Sequence, residues 1–329
     1  MLKITVILCT YNRYKSLAKA LESVANSIVP ASMGWDVLVV DNNSSDQTRD
    51  VVSDFCKRYP DRFYYLFEPR KGKSYALNSA VQEARGDVLA FVDDDVTVEP
   101  TWLHNLAATL NGGEWAGVGG RILPQWPCTP PSWFPEKEWF GMAPLAMFDL
   151  GLQAGPLTDA PFGTNMAFHR RMFQKYGLFR TDLGPGCSGE IRNEDTEFGQ
   201  RLLGAGERLK YEPAALVYHS VPPNRLKKDY FLTWWFEKGR AEIRQAGAAP
   251  PKWWLLSRTP LYHIRKLAMG TLRWMVALKP AKRFTYKLTV WLLAGMIVES
   301  YRQSRTLKGP LQVDSIGPIR HNSDTSGRN

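Results

Sequence analysis

The apolar run Val88-Leu89-Ala90-Phe91-Val92 ends on three consecutive aspartates, Asp93, Asp94 and Asp95. The run has the length and composition of a buried strand, and open α/β sheets bind their ligands beyond the carboxyl ends of such strands. Alternate residues of an extended segment point to one side, so Asp93 and Asp95 converge on one ligand while Asp94 faces elsewhere. Crowded carboxylates raise one another's pKa and call for a cation. Hard oxygen donors suit Mg²⁺ or Mn²⁺, which takes one or two protein carboxylates and completes its shell with phosphates and water. The alternative is a solvated acidic turn that caps the next helix.

The residues before the triplet supply the sheet it needs. Ile4-Thr5-Val6-Ile7-Leu8, Val37-Leu38-Val39-Val40 and Phe63-Tyr64-Tyr65-Leu66-Phe67 are three further apolar runs. Between the runs lie segments of helical period: Leu17, Leu21 and Val24 share one face, Val51, Val52 and Phe55 another, Ala76, Leu77, Ala80 and Val81 a third. Strand alternating with helix predicts an α/β fold with a doubly wound, mainly parallel sheet and right-handed crossovers. No G-x-G-x-x-G turn follows the first strand and no G-x-x-x-x-G-K-[ST] loop is present anywhere, which argues against dinucleotide oxidoreductases and P-loop NTPases.

Each strand end is chemically loaded. Cys9-Thr10-Tyr11-Asn12-Arg13 follows the first strand, Asp41-Asn42-Asn43-Ser44-Ser45-Asp46 the second, and Arg70-Lys71-Gly72-Lys73-Ser74 precedes the third helix. An aromatic ring, a carboxylate at a strand end, a basic glycine turn and an acidic cluster together can hold a base, a ribose and a diphosphate. Taken singly, Asp41 and Asp46 read equally well as turn and N-cap residues, and Lys71 and Lys73 as a solvated basic turn.

These segments, continued by Gly163-Thr164-Asn165-Met166-Ala167-Phe168, Glu194-Asp195-Thr196-Glu197-Phe198 and Val217-Tyr218-His219, resemble family 2 of the inverting glycosyltransferases, of non-processive type, which have the GT-A fold. The resemblance covers about residues 3–221, and the processive synthases' Q-x-x-R-W is missing. By position it implies that Thr10, Tyr11, Arg13 and Asp41 line the nucleotide, that Lys73 and Asp93, with Asp94, lie beside the nucleotide-sugar, and that Asp95 binds Mg²⁺ or Mn²⁺. It implies Asp195 as general base with Glu194 as its neighbour, and makes His219 a metal or diphosphate ligand. Gly163 and Asn165 stand at the family's Gly-x-Asn position, expected at the acceptor-site wall. Leu77 stands where the family often has arginine.

Read from the residues alone, Glu194 and Asp195 open a helix whose Phe198, Leu202 and Leu203 share a face, and acids in a first turn are favoured by the helix dipole whether or not they react. His219, alone after an apolar run, reads as an ordinary histidine at a strand end. The Trp-, Pro- and Phe-rich stretch 124–165 either lines an acceptor groove or packs under a long loop.

Charge divides the chain unevenly. Residues 1–224 hold 22 Lys and Arg against 26 Asp and Glu, whereas 225–308 hold 18 against 4. The basic segment is rich in tryptophan and leucine, and its longest uncharged run, Leu288 to Val298, has 11 residues. A membrane-spanning helix needs about 20. Basic residues among tryptophans and leucines predict helices lying at an anionic membrane interface; plain helical packing and a nucleic-acid patch are the alternatives, the latter without any recognised motif.

The expected organisation is a nucleotide-sugar half (1–112), an acceptor and catalytic half (113–224), a basic helical segment (225–308) and a disordered tail (309–329). Met1-Leu2-Lys3 runs into the first strand without a signal peptide, and Cys9, Cys56, Cys128 and Cys187 have neither metal nor disulfide spacing. The expectation is a cytoplasmic enzyme, peripheral on the cytoplasmic face of a membrane. It would transfer a sugar from a nucleotide-diphospho-sugar, most simply a UDP-sugar, to a lipid-linked or polysaccharide acceptor, with no nucleic-acid partner. A nucleotidyltransferase of similar sheet and a non-catalytic glycan- or lipid-binding protein are the alternatives.

Overall fold

The computed structural model describes residues 2–134, 139–186, 191–247 and 258–305. The chain opens β1 (Ile4–Thr10), α1 (Tyr14–Ala25), β2 (Trp35–Asp41), α2 (Thr48–Arg58), β3 (Phe63–Phe67), α3 (Lys73–Glu83) and β4 (Val88–Val92). These strands lie side by side as β3-β2-β1-β4, all parallel, as the alternation of periods predicts. Thr10 lies level with Asp41, and Asp41 with Phe67, so the loops after all four strands emerge at one edge.

Beyond β4 the sheet becomes mixed. The chain continues as β5 (Val96–Val98), α4 (Trp102–Asn111), β6 (Gly117–Gln125), α5 (Trp139–Met142), β7 (Gly155–Pro156), β8 (Asn165–His169), α6 (Arg170–Tyr176), α7 (Glu194–Gly204) and β9 (Leu209–Ser220). β8 inserts antiparallel between β4 and β6, β6 pairs parallel with β9, and β5 and β7 flank β9 antiparallel. The β8 insertion sets Thr164 and Asn165 beside Val92, one residue from the acidic triplet.

Asn165 has a different task from the acceptor-site role expected of it. The β6–β9 register breaks between Gly120 and Arg121. There the fully buried Asn165 amide donates to the Arg121 carbonyl at 3.0 Å and the Ala215 carbonyl at 2.8 Å, and accepts from the Trp102 indole at 2.8 Å. Buried carbonyls left unpaired by a bulge are costly, and the amide satisfies them. Gly120 leaves the room for it: a Cβ there would lie 2.2 Å from Asn165 Nδ2.

Among the described residues three helices follow: α8 (Lys228–Ala246), α9 (Arg258–Val276) and α10 (Pro280–Arg305). α8 and α10 cross in close contact, because a Cβ on Gly239 would lie 2.0 Å from the Leu292 carbonyl oxygen and one on Gly295 2.0 Å from that of Phe236. The buried Glu299 of α10 receives Arg240 at 3.0 Å and Arg244 at 2.5 Å from α8. A second core forms where these helices meet the Trp-rich loop. Trp133 packs edge-on against Phe284 at 4.8 Å and Phe134 against Phe231 at 5.5 Å, with Trp235 and Leu288 buried beside them. Thus Trp126, Trp133 and Phe134 of the loop are packing residues, and Phe284, although it lies in the basic segment, is core. This core joins the loop to α8 across residue 224, where the sequence suggests a boundary. No helix among the described residues is long and apolar enough to cross a membrane. Trp253, Trp254, Cys187 and the tail expected from 309 lie outside the described residues.

Candidate active site

The loops after β1, β2 and β4, the turn before α3, the start of α7 and one face of α8 enclose a cleft of about 600 Å³. Within the triplet, each aspartate has its own partners. Asp93 accepts from the Lys73 ammonium at 2.7 Å and the Thr164 hydroxyl at 2.8 Å. Asp94 accepts from Thr10 at 2.7 Å and Arg13 at 3.0 Å and is buried, which pushes its carboxyl up to about 6 despite Arg13. Asp95 accepts from Arg13 at 3.1 Å and Arg225 at 2.9 Å.

Asp95 Oδ1 also faces Nε2 of the buried His219 at 3.4 Å. Arg225 can only donate, so its 2.8 Å contact with His219 Nε2 requires a lone pair on that nitrogen and places the ring proton on Nδ1. That single lone pair is taken by Arg225, and Asp95 Oδ1 stands 3.4 Å from the same nitrogen. A carboxylate and an imidazole nitrogen together suit a divalent cation, which would take His219 Nε2 in place of Arg225. Among the described residues no cluster of three or more His, Cys, Asp or Glu side chains could hold a metal, so an ion there would draw its remaining ligands from substrate and water.

At the end of β1, Tyr11 is 47% exposed and lines the cleft, as do Thr10 and Arg13. Asp41 behaves differently from the sequence expectation. Its carboxylate is buried, accepting from the Ser44 N–H and the Tyr65 hydroxyl, both at 2.8 Å, and Asn42 reaches the cleft from this loop instead. Asn42 fixes the basic turn: its amide donates to the Glu68 and Arg70 carbonyls at 3.2 and 2.6 Å and accepts from the Gly72 N–H at 2.8 Å. Gly72 sits at φ 134°, ψ 133°, a conformation closed to side-chain-bearing residues, and starts α3 so that Lys73 points at Asp93. Asp46 receives the N–H groups of Tyr14 and Thr48 and is a capping residue.

Opposite the triplet, α7 begins at Asn193, held at φ 86°, followed by Glu194 and Asp195. Glu194 is 3% exposed, and burial together with Asp195 pushes its carboxyl up to about 7, against the pull of Lys73 at 3.8 Å. Asp195 is only partly buried; its two oxygens accept from the Gly163 N–H at 2.6 Å and the Thr196 N–H at 2.7 Å. Gly163 therefore acts through Asp195: a Cβ at 163 would lie 2.9 Å from the Asp195 carboxylate. Burial alone would depress the Lys73 ammonium, but Asp93, Glu194 and Asp195 outweigh it and hold it above its ordinary value.

Several cleft residues carry no local signal. Thr164 lies inside the quoted Gly-Thr-Asn segment, yet nothing in the sequence says that its hydroxyl meets Asp93. Arg225, Tyr230, Trp234 and Lys238 reach the cleft from beyond residue 224. An arginine six residues after His219 was the one available hint.

The model of glycosyl transferase family 2 matches residues 5–177, more than half of the chain. The chain belongs to glycosyl transferase family 2. It is 29% identical over 241 residues to the glucosyl-dolichyl phosphate glucuronosyltransferase of Haloferax volcanii, covering 71% of this chain and 75% of that protein. Identity to the succinoglycan biosynthesis protein ExoM of Rhizobium meliloti is 29% over 243 residues, 74% of this chain and 75% of that one. The solved mannosyltransferase PcManGT from Pyrobaculum calidifontis, in complex with GDP-Man and Mn²⁺, superposes with a TM-score of 0.56 at 20% identity, over 91% of this chain and 73% of that one. GalNAc-T7 with UDP, GalNAc and Mn²⁺ follows at 0.55 and 17% identity, over 75% and 51%. The two structural likenesses establish the GT-A fold, and family membership makes the protein a glycosyltransferase, setting aside the nucleotidyltransferase and non-catalytic alternatives.

Proposed function

We propose that this family 2 enzyme is an inverting, metal-dependent transferase that moves a sugar from a UDP-sugar to a hydroxyl of a lipid-linked or polysaccharide acceptor. The observation that carries the reading is the position of Lys73, whose ammonium lies 2.7 Å from Asp93 and 3.8 Å from Glu194. The side of the cleft suited to a diphosphate and the side that holds a base meet at one cation.

In this mechanism Asp195 accepts the proton of the acceptor hydroxyl as its oxygen attacks the anomeric carbon; the nucleoside diphosphate leaves from the opposite face, and the single displacement inverts the centre. The Gly163 and Thr196 N–H groups hold the Asp195 carboxylate in position. Lys73, Arg13 and Arg225 supply positive charge where the diphosphate departs. Mg²⁺ or Mn²⁺, held by Asp95 and His219, would neutralise the charge developing on the leaving group. Asp93 fixes Lys73, and Tyr11 offers a ring to the base.

Thermal unfolding with UDP, GDP and their sugars tests this, since a ligand of the folded state raises its stability. UDP should stabilise far more with Mn²⁺ than with EDTA, and Asp95→Asn should erase most of the difference. Equal stabilisation with and without metal overturns the metal's role, and GDP acting better than UDP corrects the base.

We also propose that α9 and the start of α10 rest on an anionic bilayer, on the cytoplasmic face. Leu272, Met275, Val276 and Leu278 are exposed, Leu278 at 95%, among the exposed Arg273, Lys279, Lys282 and Arg283. Apolar burial and charge attraction, about 1 kcal/mol per basic residue, together hold a protein at a surface without a span. Co-sedimentation should need anionic lipid, weaken with salt and fall on changing Lys279, Lys282 and Arg283 to Glu. Undiminished binding after that reversal refutes it.

A further inference from the structure

One face of α8 brings to the cleft a set of groups that neither the base nor the metal requires. Tyr230, Trp234 and Lys238 recur every four residues, share one side of the helix and all line the cleft. The two rings are braced: the Tyr230 hydroxyl donates to the Pro144 carbonyl at 3.0 Å, and Trp234 packs edge-on against the buried Trp235 at 4.9 Å. Lys238 donates to Asn193 Oδ1 at 2.9 Å, and Asn193 immediately precedes Glu194 and Asp195. The Asn193 amide is turned toward α8 by a second bond, to Gln245 at 2.9 Å, so the ammonium is fixed beside the base.

The partners of Lys238 distinguish it from three other cations of the cleft. Lys73 pairs with Asp93, Arg13 with Asp94 and Asp95, and Arg225 with Asp95. Among the described residues Lys238 has a neutral amide as its hydrogen-bond partner and forms no ion pair with a carboxylate. Glu242, one turn further along α8, is pushed toward its neutral form by burial, although Lys238 opposes the shift. A cation bonded to a neutral amide keeps its attraction for an anion, and a braced indole offers a flat face to the C–H side of a sugar.

We propose that this face of α8 is the acceptor platform and that it selects acceptors bearing an anionic group, a phosphate or a carboxylate, close to the attacking hydroxyl. A ring of the acceptor lies on Trp234, its anion is bound by Lys238, and its hydroxyl is thereby delivered to Asp195. The inference rests on Asp195 being the base of the reaction proposed above.

The test uses three short-chain probes: hexyl β-glucoside, hexyl β-glucuronide and hexyl glucosyl phosphate. Each is titrated calorimetrically into the protein saturated with Mn²⁺ and whichever of UDP and GDP stabilises it more. At least one anionic probe should bind about ten- to a hundred-fold more tightly than the neutral glucoside, the scale of one hydrogen bond to a charged group. Preference for the phosphate identifies a phospholipid-linked acceptor, and preference for the glucuronide an acidic sugar. Lys238→Met should remove the preference, Lys238→Arg should retain it, and Trp234→Ala should weaken all three alike. Equal affinity of the wild-type protein for the three probes, or no binding of any while the nucleotide still stabilises it, overturns the inference and spares the proposed reaction. Loss of nucleotide stabilisation itself would instead bring down the reaction.

Discussion

The two sides of the cleft are built on opposite plans. On the proposed nucleotide side, β3-β2-β1-β4 deliver their loops to one edge, and charged groups are paired there between strand ends: Arg13 with Asp94 and Asp95, Lys73 with Asp93. On the proposed acceptor side, α7 and α8 meet through amides, with Asn193 bound to Lys238 and Gln245. Parallel sheets bring successive strand ends together by topology alone. Helices meet wherever their packing takes them, so that side depends on a seam of glycines and a buried ion pair network. The difference implies that nucleotide recognition and acceptor activation are separable, and it can be broken experimentally.

The largest effect is expected at Asp195. Asp195→Asn keeps the helix start but removes the proton acceptor, so turnover should fall by about two to four powers of ten while stabilisation by nucleotide and Mn²⁺ is retained. Glu194→Gln should be milder, because the more buried Glu194 is less open to an acceptor. If Glu194→Gln proves the more damaging, the assignment of the base is reversed; if nucleotide stabilisation falls with turnover, the two sides are not separable.

Disturbing the helix seam sharpens the contrast from the acceptor side. Ala at Gly239 must push away the Leu292 backbone, since its Cβ would lie 2.0 Å from that carbonyl oxygen. Overpacking of this kind costs about 1–3 kcal/mol. Chemical denaturation should show that loss, transfer should drop with it, and the nucleotide-induced shift in Tm should survive. A Gly239→Ala protein as stable as wild type would mean that the seam is not under this constraint.

Asn42→Ala probes the reverse direction. It removes three hydrogen bonds that hold the turn before Lys73 and leaves buried carbonyls and an N–H unpaired, at about 1–3 kcal/mol. Nucleotide affinity should weaken while binding of the acceptor probes to the variant is kept. Equal weakening of both classes of ligand would join the two sides.

The smallest effect is a pH slope. Burial and Asp195 raise Glu194 from an ordinary glutamate value to about 7, so between about pH 4.5 and 7 the folded protein holds a proton that the unfolded chain has released. Stability contributed by that proton is present at low pH and is lost as pH rises through this window. Glu194→Gln cannot titrate, so its stability should fall less over the same range. Asp94, raised to about 6, acts in the same sense in both proteins, and the difference between the two isolates Glu194. Parallel pH profiles would show that Glu194 is not buried as the structure has it.

What the sequence determined by itself was the parallel half of the sheet and the loop edge beside it: four apolar runs of strand length, helical period between them, and loaded loops at each strand end suffice, because a parallel sheet turns order along the chain into adjacency in space. The triplet at the end of β4 and the acidic pair at the start of α7 were legible for the same reason, as local chemistry at element ends. Only the tertiary structure decided how those groups are used. It closed Asp41 behind Ser44 and Tyr65, turned Asn165 inward to satisfy a bulge, brought Arg225 between Asp95 and His219, and carried Lys238 to Asn193 across 45 residues. Contacts of that kind join residues with no shared local pattern; they arise from the packing of whole elements, which a single strand or helix cannot encode.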